Sequence, residues 1–442
     1  MIKAVATLER IFRSAGFTVA LLLLYAYFQV VAPLAHLHCN DFKHIYLGMQ
    51  AIWSHRDPYS APSLLSVAQD YGLGHEALNP YVYLPFTGIA LGFLRPFSFY
   101  EASRLWFWLN HILLLDALGL WSHVLELRSE RRVSWRLLFN ALLLAAAVSH
   151  PLSRTLTAGQ LNIILLTCYI VSFWFLSRRR DVASGIVLGF AAMFKIAPAI
   201  FLLFFTFGRR WRALTAMVAS MALLALLSVI IAGWRTHMDF LPVLAQMGYG
   251  KSTWQEYGAT FWKDPWNQSL NSLFTHLFVE ANRVTVSWWE GSQAEANALT
   301  WCVVALLLVA YFWAGARLVH HSSHTHQDLS LPLLGHFFQA TLLLSLLIPS
   351  LLWDHYLVLL LLPFSWFALD AALRRRALTF AAVLVCYVVT AFPMRLDAEV
   401  FRHGLGVLGM SAKLYPTLLL YALAISKLAS RKTACTEPSS ST

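Results

Sequence analysis

The chain has 442 residues, 58% hydrophobic and only 12% charged, with a mean hydropathy of +0.59. Soluble domains carry about a quarter charged residues, so this composition excludes one and indicates an integral membrane protein. The formal net charge of +11 would suggest a nucleic-acid partner in a soluble chain. Here the Lys and Arg fall in short linkers between apolar stretches, where they hold loops on the cytoplasmic side, and no nucleic-acid partner is implied.

Lys3, Arg10 and Arg13 precede the apolar stretch Gly16–Ala35, which is longer than a signal-peptide core and lacks a small-residue cleavage pattern. It reads as an uncleaved anchor with its N-terminus inside. An outer loop, residues 38–103, follows. Within it Val82–Phe97 is short and punctuated by Pro85, Gly88, Gly92 and Pro96, whereas Arg104–Leu127 is long and uninterrupted. The basic linker Arg128–Arg136 belongs inside, which requires an odd number of crossings before it. Val82–Phe97 is therefore assigned to an interfacial or re-entrant element and Arg104–Leu127 to a crossing.

Leu137–Val148 and Leu161–Leu176 are the next apolar segments. Val182–Phe207 lies between Arg178–Arg180 and Arg209–Arg212, both expected inside, so it divides into two short crossings around Lys195–Pro198, with Pro198 breaking the helix. Ala213–Ala232 runs outward into a second outer loop, residues 233–298. Spans are expected at Leu299–Val319, Leu331–Leu347, Tyr356–Ala372, Ala377–Phe392 and Leu405–Leu428, and residues 430–442 form a short polar cytoplasmic tail. Residues 1–429 thus form one domain: an all-α polytopic membrane protein of about 12 transmembrane helices with interfacial helices and outer loops. Its place is the inner (plasma) membrane.

Polar residues gather on the outer face. Asp41, in His38-Cys39-Asn40-Asp41, sits just past the first helix, where desolvation costs a carboxylate. Such a group can act as general base for a hydroxyl, or simply cap the following helix. His36, His38 and His44 surround it without zinc spacing, and the five cysteines are unpaired in pattern, so neither a metal nor a disulfide framework is indicated. The histidine tract 320–326 falls on the cytoplasmic side. Lys195, at the outer end of a broken helix pair, is either a functional cation or a snorkelling lysine.

Gln160 and Asn162 offer amides at the membrane mouth, suited to sugar hydroxyls or phosphate oxygens. Trp353, Asp354, His355 and Tyr356 lie between two late spans. The aromatic pair suits any interface, while Asp354 beside His355 is less expected, since a histidine can stabilise a departing phosphate. The second loop combines Trp254, Trp262, Trp266, Trp288 and Trp289 with Asn267 and Gln268; aromatic faces and amides suit sugars, and an aromatic belt accounts for the tryptophans equally well.

A string of short motifs runs from Asp41 to Tyr356: Asp41-Phe42 with Tyr46, then Arg56-Asp57-Pro58-Tyr59; Tyr83 with Pro85; Gly159-Gln160 with Asn162; Gly185 and Gly189 with Lys195 and Pro198; Asn267-Gln268-Ser269-Leu270; and Pro349 with Trp353 and His355. In this order they resemble the polyprenol-phosphate-mannose-dependent mannosyltransferase-like family, glycosyltransferase family 87 of the GT-C class. The chain departs from that pattern after Leu270, where many relatives have Gly and then Arg, and at Asp354, where a second histidine is often seen.

The resemblance implies a GT-C-like bundle and transfer of a hexose, mannose by family, from a polyprenyl-phosphate donor to a hydroxyl of a lipid or glycan acceptor. It makes Asp41 catalytic and places Trp353 and His355 at the active site, which would face the periplasm or exterior. Lys195 and His355 are then the expected donor-phosphate ligands, with Tyr46, Tyr83, Gln160, Asn162, Asn267, Gln268 and Trp353 on sugar or acceptor. A monophosphate leaving group can be met by protein cations, so no cofactor is required. A lipid-linked sugar flippase or transporter would also be polytopic, but would need gates on both faces.

Overall fold

The computed structural model describes residues 14–253, 264–279, 291–325, 329–396, 398–402 and 404–430, without the side chains of 321–325. Lys3, Arg10, Arg13, Trp254, Trp262, Trp288, Trp289, His326 and the tail beyond Ser430 lie outside the described residues.

Helix α1 (Ala15–Ala35) widens into a π-helical turn at Ala26–Val31. Three helices occupy what the sequence reads as one outer loop: α2 (Asn40–Trp53), α3 (Ala61–Asp70) and α4 (Pro85–Ala90), the last followed by a single 3-10 turn at Gly92–Leu94. Val82–Phe97 therefore contains no helix long enough to cross, as its prolines and glycines require. Helix α5 (Phe99–Arg128) is capped by Ser98, whose hydroxyl accepts from the Glu101 N–H while the Glu101 carboxylate accepts from the Ser98 N–H.

Helices α6 (Trp135–Ala147) and α7 (His150–Ala158) meet at a 65° bend. A break among apolar neighbours strands carbonyl groups that water cannot reach. Gln29, from the π turn of α1, donates its Nε2 to the carbonyls of Ala147 at 2.8 Å and Ser149 at 3.3 Å. The sequence reading has a loop between Val148 and Leu161, and α7 corrects it. Ser153, Arg154, Thr155 and Thr157 make this helix half polar, so hydropathy passes over it.

Helix α8 (Asn162–Ser177) is followed by α9 (Asp181–Phe194) and α10 (Ala197–Phe207), separated at Lys195, whose backbone is extended. The expected division at Lys195–Pro198 is thus present. Helix α9 lies against α11 (Trp211–Ala245) through Gly185 and Gly189. A Cβ at Gly185 would run into the Ala213 carbonyl, and one at Gly189 would meet the Ser220 Cβ at 2.7 Å. Helix α11 does not end at Ala232 as expected. It kinks at Gly233, whose φ of +82° suits glycine, and continues to Ala245.

The longer helices that remain are α12 (Leu270–Phe278), α13 (Gln293–Thr325), α14 (Leu331–Leu347), α15 (Asp354–Leu373, opening with a 3-10 stretch), α16 (Ala377–Ala391) and α17 (Leu414–Ala429), with a short helix at Gly406–Met410 before the last. Helices α1, α5, α11, α13 and α15 are long and apolar enough to cross a membrane, and α6 with α7 joins them if the bent pair is one span. Helices α8, α9, α10, α14, α16 and α17 are shorter and apolar. The fold is an all-α polytopic membrane bundle. At the end of α5 far from Phe99, Asp370 of α15 receives Arg128 at 2.8 Å, Lys427 of α17 at 2.7 Å and Arg374 at 3.1 Å, while Arg128 lies 3.8 Å over the Trp366 ring.

The glycine contact between α9 and α11 leaves no room for a side chain. Gly185→Leu is expected to lower stability by about 1–3 kcal/mol, read as a lower melting temperature of the detergent-solubilised protein by tryptophan fluorescence. An unchanged melting temperature would rule out this close approach.

Candidate active site

The first turn of α2 carries Asp41, and an unusual backbone aims it. Cys39, which precedes the helix, has φ +44°, a left-handed conformation uncommon outside glycine. Its N–H donates to the Thr157 carbonyl on α7 at 3.0 Å. At the other end of this contact Gly159 closes α7 with φ +71°, and a Cβ there would meet the Phe42 Cβ at 2.5 Å. These two left-handed residues bring the start of α2 against the end of α7, so that Gln160 Nε2 donates to Asp41 Oδ2 at 2.7 Å.

Gln160 Oε1 accepts from the Tyr83 hydroxyl at 3.3 Å. Burial holds that phenol well above its usual range, and the nearby Asp41 carboxylate adds to the effect. Tyr83 therefore stays a donor, which orients the Gln160 amide with its NH2 on the carboxylate. The His44 ring lies 5.9 Å from that of Tyr83 in a stacked arrangement. Burial lowers its pKa against the opposing pull of Asp41, so the imidazole is neutral.

Asn162, fully buried at the start of α8, holds the second half of the site. Its Nδ2 donates to the His355 carbonyl at 3.0 Å and its Oδ1 accepts from Lys195 Nζ at 3.4 Å. The Thr155 hydroxyl donates to the same His355 carbonyl at 2.9 Å. Lys195 Nζ also lies 3.6 Å from the centroid of the Tyr356 ring, a cation–π contact. The His355 side chain is buried, and its Nε2 has no hydrogen-bond partner among the described residues.

A cavity of about 370 Å³ opens beside this cluster, with Tyr83, Asn162, Lys195, Trp353 and Tyr356 on its wall and Leu165, Phe194, Phe240 and Leu359 making much of the rest apolar. Asp41 is not on that wall; Gln160 and Tyr83 connect it to the cavity. Among the described residues, no three of His, Cys, Asp and Glu converge as ligands for a metal ion.

Asp41, Tyr83, Gln160, Asn162, Lys195 and His355 are thus gathered in one place, with Trp353 on the cavity. Tyr46, Asn267 and Gln268 are used elsewhere. Tyr46 is buried against Phe42 and Phe99, and its hydroxyl donates to the Phe97 carbonyl at 2.8 Å. Asn267 Nδ2 donates to the Ser350 carbonyl, and its Oδ1 accepts from the N–H groups of Leu352 and Ser269. Gln268 Nε2 donates to the carbonyls of Pro265 and Met410, and its Oε1 accepts from the Lys413 N–H. The Asn267 amide therefore clamps the backbone of the segment that carries Trp353, and the Gln268 amide ties its own loop to the turn before α17; neither is on the cavity wall.

The sequence reading has no role for Lys413. Its Nζ, fully buried, lies 2.7 Å from Asp354 Oδ1, and His150 Nδ1 lies 2.8 Å from Asp354 Oδ2. The available signal was a lysine inside the apolar run Leu405–Leu428, where an ionisable group needs a partner.

The fold and site define a polytopic all-α membrane protein with a carboxylate and a lysine held beside one largely apolar cavity. The chain belongs to glycosyltransferase family 87, whose family model matches residues 81–345. It is 34% identical over 108 residues to a polyprenol-phosphate-mannose-dependent alpha-(1-2)-phosphatidylinositol mannoside mannosyltransferase of Mycobacterium tuberculosis, covering 24% of this chain and 25% of that one. It is 27% identical over 165 residues to the corresponding phosphatidylinositol pentamannoside mannosyltransferase of Mycolicibacterium smegmatis, covering 37% of this chain and 38% of that one. The chain therefore spans a quarter to two fifths of the length of these curated relatives.

Removing one partner of a buried ion pair leaves the other charge stranded. Asp354→Ala and Lys413→Ala should each cost about 3–5 kcal/mol, and the double variant clearly less than their sum. Additive losses in denaturant unfolding would show that the two groups do not act as a pair.

Proposed function

We propose that this protein transfers a hexose, mannose in the first instance, from a polyprenyl-phosphate donor to a hydroxyl of a lipid or glycan acceptor. The observation that carries this reading is the hydrogen bond from Gln160 to Asp41 beside a cavity holding Lys195. The carboxylate has one oxygen engaged by Gln160 and is placed to receive a proton with the other. Lys195, among apolar residues, suits a phosphate at the end of an isoprenoid chain. The dependence of the relatives on polyprenol-phosphate-mannose supports the donor class.

In the proposed step the acceptor oxygen attacks the anomeric carbon while its proton passes to Asp41. The bond from that carbon to the phosphate oxygen breaks, and the electron pair leaves with polyprenyl monophosphate, whose charge Lys195 and His355 meet. A single displacement inverts the centre, so a β-linked donor yields an α-linked product. Asn162 and Thr155 fix the backbone of His355 and so position its ring. The basic linkers Arg128–Arg136 and Arg178–Arg180 support placing the site on the outer face of the plasma membrane.

Reconstituted protein with labelled polyprenyl-phosphate mannose and a membrane-lipid extract tests the reading. Asp41→Asn should lower the transfer rate constant at least ~100-fold with little change in donor affinity, whereas Lys195→Gln should chiefly raise the donor KM. Undiminished transfer by Asp41→Asn would remove it as the base.

A further inference from the structure

A second concavity lies on α5, away from the candidate site. It is a groove of about 620 Å³ between α6 and α8, with α5 as its floor, and it shares no lining residue with the cavity that holds Lys195. Asp116, Gly119, Leu120 and His123 line the floor. Their spacing of three and four residues is that of a helix face against which another helix packs. Gly119 keeps the floor low, since a Cβ there would meet nothing nearer than the Trp135 ring at 4.0 Å. Small residues of this type let helix backbones approach one another within a membrane.

The polar groups at one end of the groove satisfy one another. Arg178 donates to His123 Nε2 at 3.1 Å, and His123 Nδ1 lies 3.6 Å from the Glu126 carboxylate. Asp116 is different: it is exposed and makes no hydrogen bond or ion pair with any described residue. It precedes His123 by about two turns of α5, on the order of 10 Å along the helix towards its middle, and α5 is long and apolar enough to cross a membrane. A carboxylate at such a depth is costly unless something brings it a cation or a hydrogen-bond donor. An acyl chain lying in the groove offers neither. The exposed faces of α11, α13 and α16 include Leu223, Leu306 and Leu384, and residues 213–232, 299–316 and 377–391 contain no Lys or Arg. A second copy of the chain therefore has no cation to set against Asp116 from those faces.

We propose that this groove is a docking surface for a transmembrane helix of a partner protein, and that the partner's helix carries a basic side chain which pairs with Asp116. The helix lies over Gly119 and Leu120, between Trp135 of α6 and Trp174 of α8, and sets its cation against the carboxylate. Charge complementarity within the bilayer selects this occupant over a lipid. The surface stands independently of the transferase reading, and its test uses binding alone.

Full-length protein in phosphatidylcholine bilayers is mixed with synthetic apolar helices of about 20 residues, built of Leu and Ala alone or with one Lys at each position of a central helical turn. A photoreactive p-benzoylphenylalanine in place of Phe139, on the groove wall, reads capture on illumination, and the same probe in place of Leu306 on α13 reads chance encounters. The best lysine peptide should be captured at Phe139 about tenfold more than the peptide without lysine, with no such preference at Leu306. Asp116→Leu should abolish the preference and Asp116→Glu retain part of it. Asp116→Leu should also leave the melting temperature unchanged or raise it, since it replaces an unpaired carboxylate with an apolar group. Equal capture of the peptides, a preference that survives Asp116→Leu, or one seen equally at Leu306 would overturn the proposal. A lower melting temperature of Asp116→Leu would also overturn it, by giving the carboxylate a structural partner within the chain. Illumination that joined two copies of the chain at Phe139 in preference to the peptide would assign the groove to self-association instead.

Discussion

The bend between α6 and α7 is the constraint on which the site depends. Two helices cannot meet at 65° within an apolar bundle unless the carbonyls at the break find donors, and the amide of Gln29 supplies them. The π turn that carries Gln29 lies in α1, just before the chain turns at Cys39 into α2. The first helix therefore fixes the direction of α7. Helix α7 in turn delivers Thr155 to the His355 backbone and ends at Gly159, so that Gln160 falls on Asp41. Filling either left-handed position with a bulky or β-branched residue would separate groups 119 positions apart in sequence.

Buried charge follows one rule throughout the molecule. Among the described residues each deeply buried acid is met by more than one donor: Asp354 by Lys413 and His150, Asp370 by Arg128, Lys427 and Arg374. Such pairs contribute little net stability compared with apolar packing, and breaking one is costly. Their value is in register, since each joins helices that apolar contacts alone would let slide. Lys195 differs. The groups it touches are an amide oxygen and an aromatic face, neither of which carries a full negative charge.

Much of this was legible in the amino-acid sequence wherever charge or proline punctuates apolar runs. Basic linkers and Pro198 locate the break at Lys195, and Pro85 with its following glycines keeps α4 short. Helix α7 was hidden because it is short and half polar, which a hydropathy profile cannot distinguish from a loop. The continuation of α11 past Gly233 was hidden because glycine usually marks an end. At the site, the residue types singled out Asp41, Gln160 and Lys195, which the fold brings close together. They could not separate amides that face a cavity from those of Asn267 and Gln268, which bind backbone groups of segments distant in sequence. Lys413 needed its partner in three dimensions before its role could be read.

The cluster at Asp370 bears on how the chain enters its membrane. Arg128 ends α5, whereas Asp370 and Lys427 belong to α15 and α17, synthesised long afterwards. A lone buried carboxylate or ammonium is costly, but Arg128 is already in place when α15 arrives, and Asp370 can pair with it at once. Lys427 then meets a carboxylate in position. The order of synthesis thus presents each new charge to a waiting partner, and a chain with α15 and α17 exchanged in sequence would insert its lysine before its acid.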